Sequence, residues 1–137
     1  MNAAVFELPI RVSEMHIDEL GHVNNVVYLQ WVQDAAAAHW SASAPSELRH
    51  QFNWVVLRHE IDYNSPAFVN DELMARTWVD HYDGVRSTRI VQIFRSKEMK
   101  KLAEARTQWC LLNAATGRPT RVVDEIKNVF VPTMLGS

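Results

Sequence analysis

One cysteine, Cys110, stands in the whole chain, so no disulfide forms within it and no cysteine-spaced metal motif can be written. Glycine and proline are scarce, at 4 and 5 residues, and no repeat, low-complexity tract or Pro/Gly-rich linker breaks the sequence. A basic excess is missing as well. Lys and Arg number 14 against 16 Asp and Glu, a net charge of −2, which argues against a nucleic-acid partner. A local basic pocket for a phosphorylated ligand stays open. Long apolar runs are absent, so no membrane span is expected. The first residues, MNAAVFELPIRV, lack a basic segment followed by an apolar stretch, so no secretory signal is read there. The expected location is cytoplasmic.

What is present is an ordinary globular balance, 47% hydrophobic and 22% charged residues, over a length that favours one domain, residues 1–137. Five tryptophans are many for 137 residues. A small domain with such large apolar side chains often completes its core by pairing with a second copy.

The pattern along the chain predicts an α+β domain. Residues 5–12 read as a short strand with Pro9 near a sheet edge. From about Asn24 to Ser41 the period is helical, with Tyr28, Val32, Ala35, Ala36 and His39 on one stripe and Gln30, Gln33, Asp34 and Ser41 on another. Asn24 is the expected N-cap. The run Ala35-Ala36-Ala37-Ala38 favours helix and has little bulk, so a sheet can approach closely. After Pro45, residues 43–53 read as a connection with a short helical turn. Strands are then expected over 56–63, 72–82, 86–96 and 102–113, with Leu57, His59, Ile61 and Tyr63 on one face of the first. Asp83-Gly84 marks a hairpin and Thr116-Gly117 a turn. Residues 124–130 are expected to close with a short helix.

The densest chemistry lies in HIDELGHVNN, residues 16–25, just before the long helix. Taken alone, Asp18 reads as a charge complementing the helix dipole and Asn24 as a plain cap. His16 and His22 around Asp18 are legitimate metal-ligand types, but their spacing matches no strong motif, and no metal is expected. Structural or hydrogen-bonding roles fit them better, with His22 ordering the turn or supporting Asp18 and no particular role expected of His16.

The run Asp18, Gly21-His22-Val23-Asn24-Asn25 and Tyr28, with IDYNSPAFVNDEL (61–73), DGVRSTRIVQIFR (83–95) and LAEARTQWCLLNAATGRP (102–119) in the same order, resembles the hotdog-fold acyl-CoA thioesterases of the 4-hydroxybenzoyl-CoA thioesterase-like group. The likeness covers nearly the whole chain. It implies a hotdog fold: one long central helix wrapped by a curved antiparallel sheet of about five strands. It also implies a homodimer or homotetramer whose sheets join, and hydrolysis of an acyl-CoA, or an acyl carrier protein thioester, without a cofactor.

Thioester hydrolysis needs an attacking or water-activating group and a site for the oxyanion. The resemblance places the catalytic carboxylate at Asp18 and the oxyanion-binding amide at about Asn25. A carboxylate ionised at neutral pH without tuning suits a nucleophile and makes a weak base, and both roles stay open. Gly21, His22, Asn24 and Tyr28 are the expected substrate contacts of the turn. Arg86 and Ser87, after the Asp-Gly turn, are the expected contacts to the pantetheine or phosphate end. Arg95, Lys97, Lys100 and Lys101 are further basic candidates. Trp31, Trp54 and Tyr63 are candidate walls of the acyl pocket. Two other readings remain at this stage: a non-catalytic acyl-CoA-binding module, and a hotdog hydratase or dehydratase pairing Asp18 with His22.

Overall fold

In the computed structural model, which describes residues 4–131, strand β1 (Phe6–Arg11) leads through a short 3-10 turn at Glu14–His16 to helix α1 (Asn25–Ser43). Helix α2 (Ser46–Gln51) follows, then β2 (Phe52–Tyr63), β3 (Glu72–Asp83), β4 (Arg86–Arg95), β5 (Lys100–Asn113) and helix α3 (Asp124–Val129). The five strands form one antiparallel sheet in the order β1-β3-β4-β5-β2. β1 lies at an edge, where the missing N–H of Pro9 costs no central ladder bond.

Helix α1 starts where Asn24 places its side-chain oxygen to accept from the Val26 N–H at 3.0 Å. It ends at Ala44, just ahead of Pro45. Its buried face is Tyr28, Trp31, Val32, Ala35, Ala36 and His39, the stripe expected from the period with Trp31 added. The small Ala35 lets the helix sit close against Leu73, Ala75, Val91, Ile93, Ala103 and Ala105 of the sheet. Burying one such Leu or Ile side chain contributes roughly 1.5–3 kcal/mol. A second apolar cluster joins Ala44 and Leu48 to Leu111, Val122 and Ile126, so α2 and α3 close the other end of the sheet. The outer face of the sheet carries ion pairs such as Arg76–Glu7 at 3.1 Å and Lys101–Glu104 at 3.0 Å.

Two strand expectations are corrected. β2 begins at Phe52, four residues before Val56, because Phe52 already pairs with Asn113 of β5. Leu57 does not share a face with His59 and Ile61. A register shift between Val56 and Arg58 leaves Leu57 48% exposed, since an extra residue in a ladder reverses side-chain alternation. The β3–β4 hairpin turns where expected, with Gly84 at φ 62, a left-handed conformation in which glycine has no Cβ penalty.

Candidate functional site

The segment from Ile17 to Val23 is a tight hairpin closed by an antiparallel bridge between those two residues. The Asp18 N–H donates to the His22 carbonyl at 2.8 Å, and the Gly21 N–H donates to the Asp18 carbonyl at 3.1 Å. Gly21, at φ 81, takes the left-handed position that closes this three-residue hairpin loop. No atom lies within 4 Å of a Cβ built there, so glycine is needed for its backbone and not for a close approach. Two longer-range bonds anchor the hairpin: Asn24 N–H to the His16 carbonyl at 2.9 Å and Val23 N–H to the Ala67 carbonyl at 3.0 Å.

This hairpin sets Asp18 beside the start of α1. Asp18 Oδ1 accepts from the Leu20 N–H at 2.9 Å and from the His22 N–H at 3.3 Å. Oδ2 accepts from no donor among the described residues. Half-buried Asp18 thus has one oxygen fixed by the turn and one left over. The first turn of α1 holds no acidic side chain to offset the positive end of its dipole. Val26 N–H is capped by Asn24, but the Asn25 N–H has no acceptor among the described residues. A carboxylate and an unspent backbone donor therefore stand together.

Both border a cavity of about 450 Å³. Leu20, His22, Val23, Asn24, Tyr28 and the segment from Tyr63 to Pro66 complete its wall. Of the expected site residues, Asp18, His22, Asn24, Asn25 and Tyr28 come together here, while Gly21 supports the turn without lining the cavity. The Tyr63 hydroxyl donates to the Asn25 carbonyl at 3.2 Å, tying the end of β2 to the helix start. Among the described residues the buried Tyr28 hydroxyl has no partner at full hydrogen-bond geometry, and burial pushes its phenol above the ordinary value, with the nearby Ala67 backbone and Arg95 offsetting part of that. Asn64 and Ser65 escaped sequence reasoning as individual residues, although the Tyr-x-x-Pro run that carries them is visible.

Other candidates lie elsewhere. His22 packs edge-on against Phe68 at 5.5 Å and meets Asp18 through its backbone N–H, not its ring. His16 accepts from the Ser13 N–H at 3.0 Å and sits edge-on to Trp31. Trp31 is core beneath Tyr28, at 5.3 Å between rings. Arg86 is exposed at the start of β4, and Ser87 and Trp54 line a different cavity. Arg95 pairs with Asp71 at 3.1 Å and donates to the Pro66 carbonyl at 2.8 Å, so it braces the loop behind the Asp18 cavity. Lys101 pairs with Glu104. Among the described residues, no group of three His, Cys, Asp or Glu is placed to hold a metal ion, and no helix is long and apolar enough to cross a membrane.

A family model described as the thioesterase-like superfamily matches residues 12–130. No curated protein sequence matches significantly. Among solved structures, the chain resembles Slr0204, a 1,4-dihydroxy-2-naphthoyl-CoA thioesterase from Synechocystis, with TM-score 0.80 and 18% identity over 92% of this chain and 95% of that one. It resembles a thioesterase from Thermus thermophilus, in complex with coenzyme A and Zn, with TM-score 0.79 and 23% identity over 90% of each. YbaW, a probable thioesterase from Escherichia coli, superposes with TM-score 0.77 at 22% identity over 90% of this chain and 94% of its own. At these identities the likeness shows a shared hotdog fold.

Proposed function

The chain belongs to the thioesterase-like superfamily, and on that premise we propose that it is a hydrolase that cleaves an acyl-CoA thioester to the free acid and CoA. One observation carries the reading: the Asp18 carboxylate and the unspent Asn25 amide face the same cavity at the start of α1. A thioester carbonyl seated there accepts from the Asn25 N–H, which stabilises the oxyanion as charge develops. The free oxygen of Asp18 then attacks the carbonyl carbon or takes a proton from an attacking water. In either route the C–S bond breaks and the thiolate leaves with the electron pair; after direct attack, water then hydrolyses the Asp18 mixed anhydride, which releases the acid and restores the carboxylate. Gly21 and Asn24 hold the backbone that aims these groups, and Tyr28 and His22 border the acyl side. Arg86 and Ser87 lie apart from Asp18 in one protomer, so contacts of theirs to the CoA end require a long ligand or a second copy.

β2 supports that second copy. Its outer edge has no partner strand among the described residues, over twelve residues, and exposes Val55 and Leu57. A long, partly apolar edge is a template for another strand. We propose a homodimer or homotetramer built on it, tested by sedimentation of wild type against Val55→Lys.

The test of activity is free-thiol release from benzoyl, short-chain and long-chain CoA thioesters, with wild type and Asp18→Asn. Turnover by wild type that collapses in the variant supports the reading. One observation favours a binding module instead: Asp18 Oδ1 is already fully used in stabilising its own turn. Acyl-CoA that binds and remains intact selects that alternative.

A further inference from the structure

A second cavity, of about 620 Å³, lies against the C-terminal half of α1. Its volume falls in the range of small-molecule pockets. Trp40 of α1 is about 22 Å along the helix from Asn25, and the two cavities share no lining residue. The wall is aromatic, from Trp40, Phe52, Trp54, Trp109 and Phe130, and includes Arg49 and Arg89 but no Asp or Glu.

Arg89 is the feature that needs explaining. It is 4% exposed on the central strand β4. Its Nη1 donates to the Nδ1 of His39 at 2.9 Å and to the Thr77 hydroxyl at 3.0 Å. Its guanidinium lies 4.9 Å over the Phe130 ring. Both acceptors are neutral, and no carboxylate pairs with it among the described residues. Nε and Nη2 have no acceptor among the described residues, and Arg89 lines the cavity. Burial lowers the group to about 10, so it stays charged at neutral pH. A buried cation without a counter-ion is costly, and cations of this kind are ordinarily paired. Two more buried donors lack an acceptor among the described residues, the indole N–H groups of Trp54 and Trp109, both on residues of the same wall.

We infer that this cavity binds a molecule with an apolar body and one carboxylate, the carboxylate seated on Nε and Nη2 of Arg89. A guanidinium presents two parallel donors that match the two oxygens of a carboxylate. One buried positive charge balances one negative charge. A phosphate dianion would leave a charge uncompensated among aromatic rings. The aromatic wall takes the body of the ligand, and Arg49 on α2 adds positive potential at the rim. Ser87, buried on the same wall, provides a further polar contact.

Tryptophan fluorescence reads the site directly, since Trp40, Trp54 and Trp109 line it. The full chain is titrated with benzoate, phenylacetate and hexanoate and with their neutral amides. At least one acid is expected to give saturable quenching, with its amide at least about tenfold weaker. Arg89→Met should lose at least about tenfold in affinity, whereas Asp18→Asn should bind as wild type does. If Arg89→Met fails to fold, wild type alone still decides, because a bound acid raises Tm and its amide does not. Equal binding of acid and amide, equal binding by folded Arg89→Met, or no saturable binding of any acid at millimolar concentration overturns the inference. Binding needs no turnover, so this outcome is independent of the hydrolase reading. The carboxylate has two sources, a free acid or the distal end of a larger substrate. Competitive inhibition of thiol release by the bound acid assigns the second, and binding without inhibition assigns the first.

Discussion

The two ends of α1 carry opposite kinds of site. At the N-terminal end the donors belong to the backbone, the charged side chain is the acid Asp18, and the surroundings are polar and open. Along the C-terminal half the donor is a side chain, the buried Arg89, the charge is positive, and the surroundings are largely aromatic. The difference shows two ways of holding unspent hydrogen-bonding capacity. A helix start does so by geometry, because its first amides have no partner within the helix. A buried strand does so only when the rest of the fold withholds a counter-ion.

The sharpest break of this comparison is Asp18→Asn. Asparagine keeps an oxygen to accept from the Leu20 and His22 N–H groups, so the fold should be retained while thiol release falls at least about 10²-fold. Loss of folding along with activity would make Asp18 a structural residue only. Asn25→Pro tests the backbone donor. Proline is tolerated at the first helical position, and Asn24, at φ −61 and ψ 136, already has the extended backbone that precedes proline. Thiol release should fall about 10²–10³-fold with little change in Tm. Unchanged turnover would remove Asn25 from the oxyanion site.

At the other end, the measurement is stability against pH. His39 is buried beside Arg89, and desolvation together with that positive charge lowers it to about 4 from an ordinary 6.5. It is therefore neutral when folded and accepts from Arg89. Between those two values the unfolded chain binds the proton that the folded chain refuses. Its contribution is full above pH 6.5 and is lost as pH falls toward 4, at up to about 1.4 kcal/mol per pH unit. Urea denaturation of wild type and His39→Asn across this window should show a shallower slope for the variant. Equal slopes would mean that His39 is not held neutral.

Smaller effects follow at the N-terminal end. Asn24→Ala should cost about 1 kcal/mol in urea unfolding through loss of the cap. Tyr28→Phe removes a buried hydroxyl with no hydrogen-bond partner among the described residues, so stability should stay level or rise by up to about 1 kcal/mol. A raised KM in that variant would show that the hydroxyl meets substrate.

Much of this was legible in the order of residues. The stripe Tyr28, Val32, Ala35, Ala36, His39 is the buried face of α1, and the Asp83-Gly84 hairpin turns where its residue types demand. The cluster from Asp18 to Tyr28 was legible for the same reason: its members lie within one short segment whose own hydrogen bonds shape it. The start of β2 was not, because Phe52 and Trp54 become strand by pairing with Asn113 and Leu111 of β5. The outward turn of Leu57 follows from a bulge that period-two reading does not register. Arg86 and Ser87 read as one pair, but strand alternation sends Ser87 inward and leaves Arg86 exposed.

By itself, then, the sequence determined the elements and the acid at the head of the helix, since capping, turn formation and hydrophobic period act over a few neighbouring residues. Only the tertiary structure decided that Arg89 is buried without a counter-ion among the described residues. Its partners His39 and Thr77 lie 50 and 12 residues away on α1 and β3. Desolvation belongs to the closed layers of helix and sheet, and no local pattern of residues encodes it.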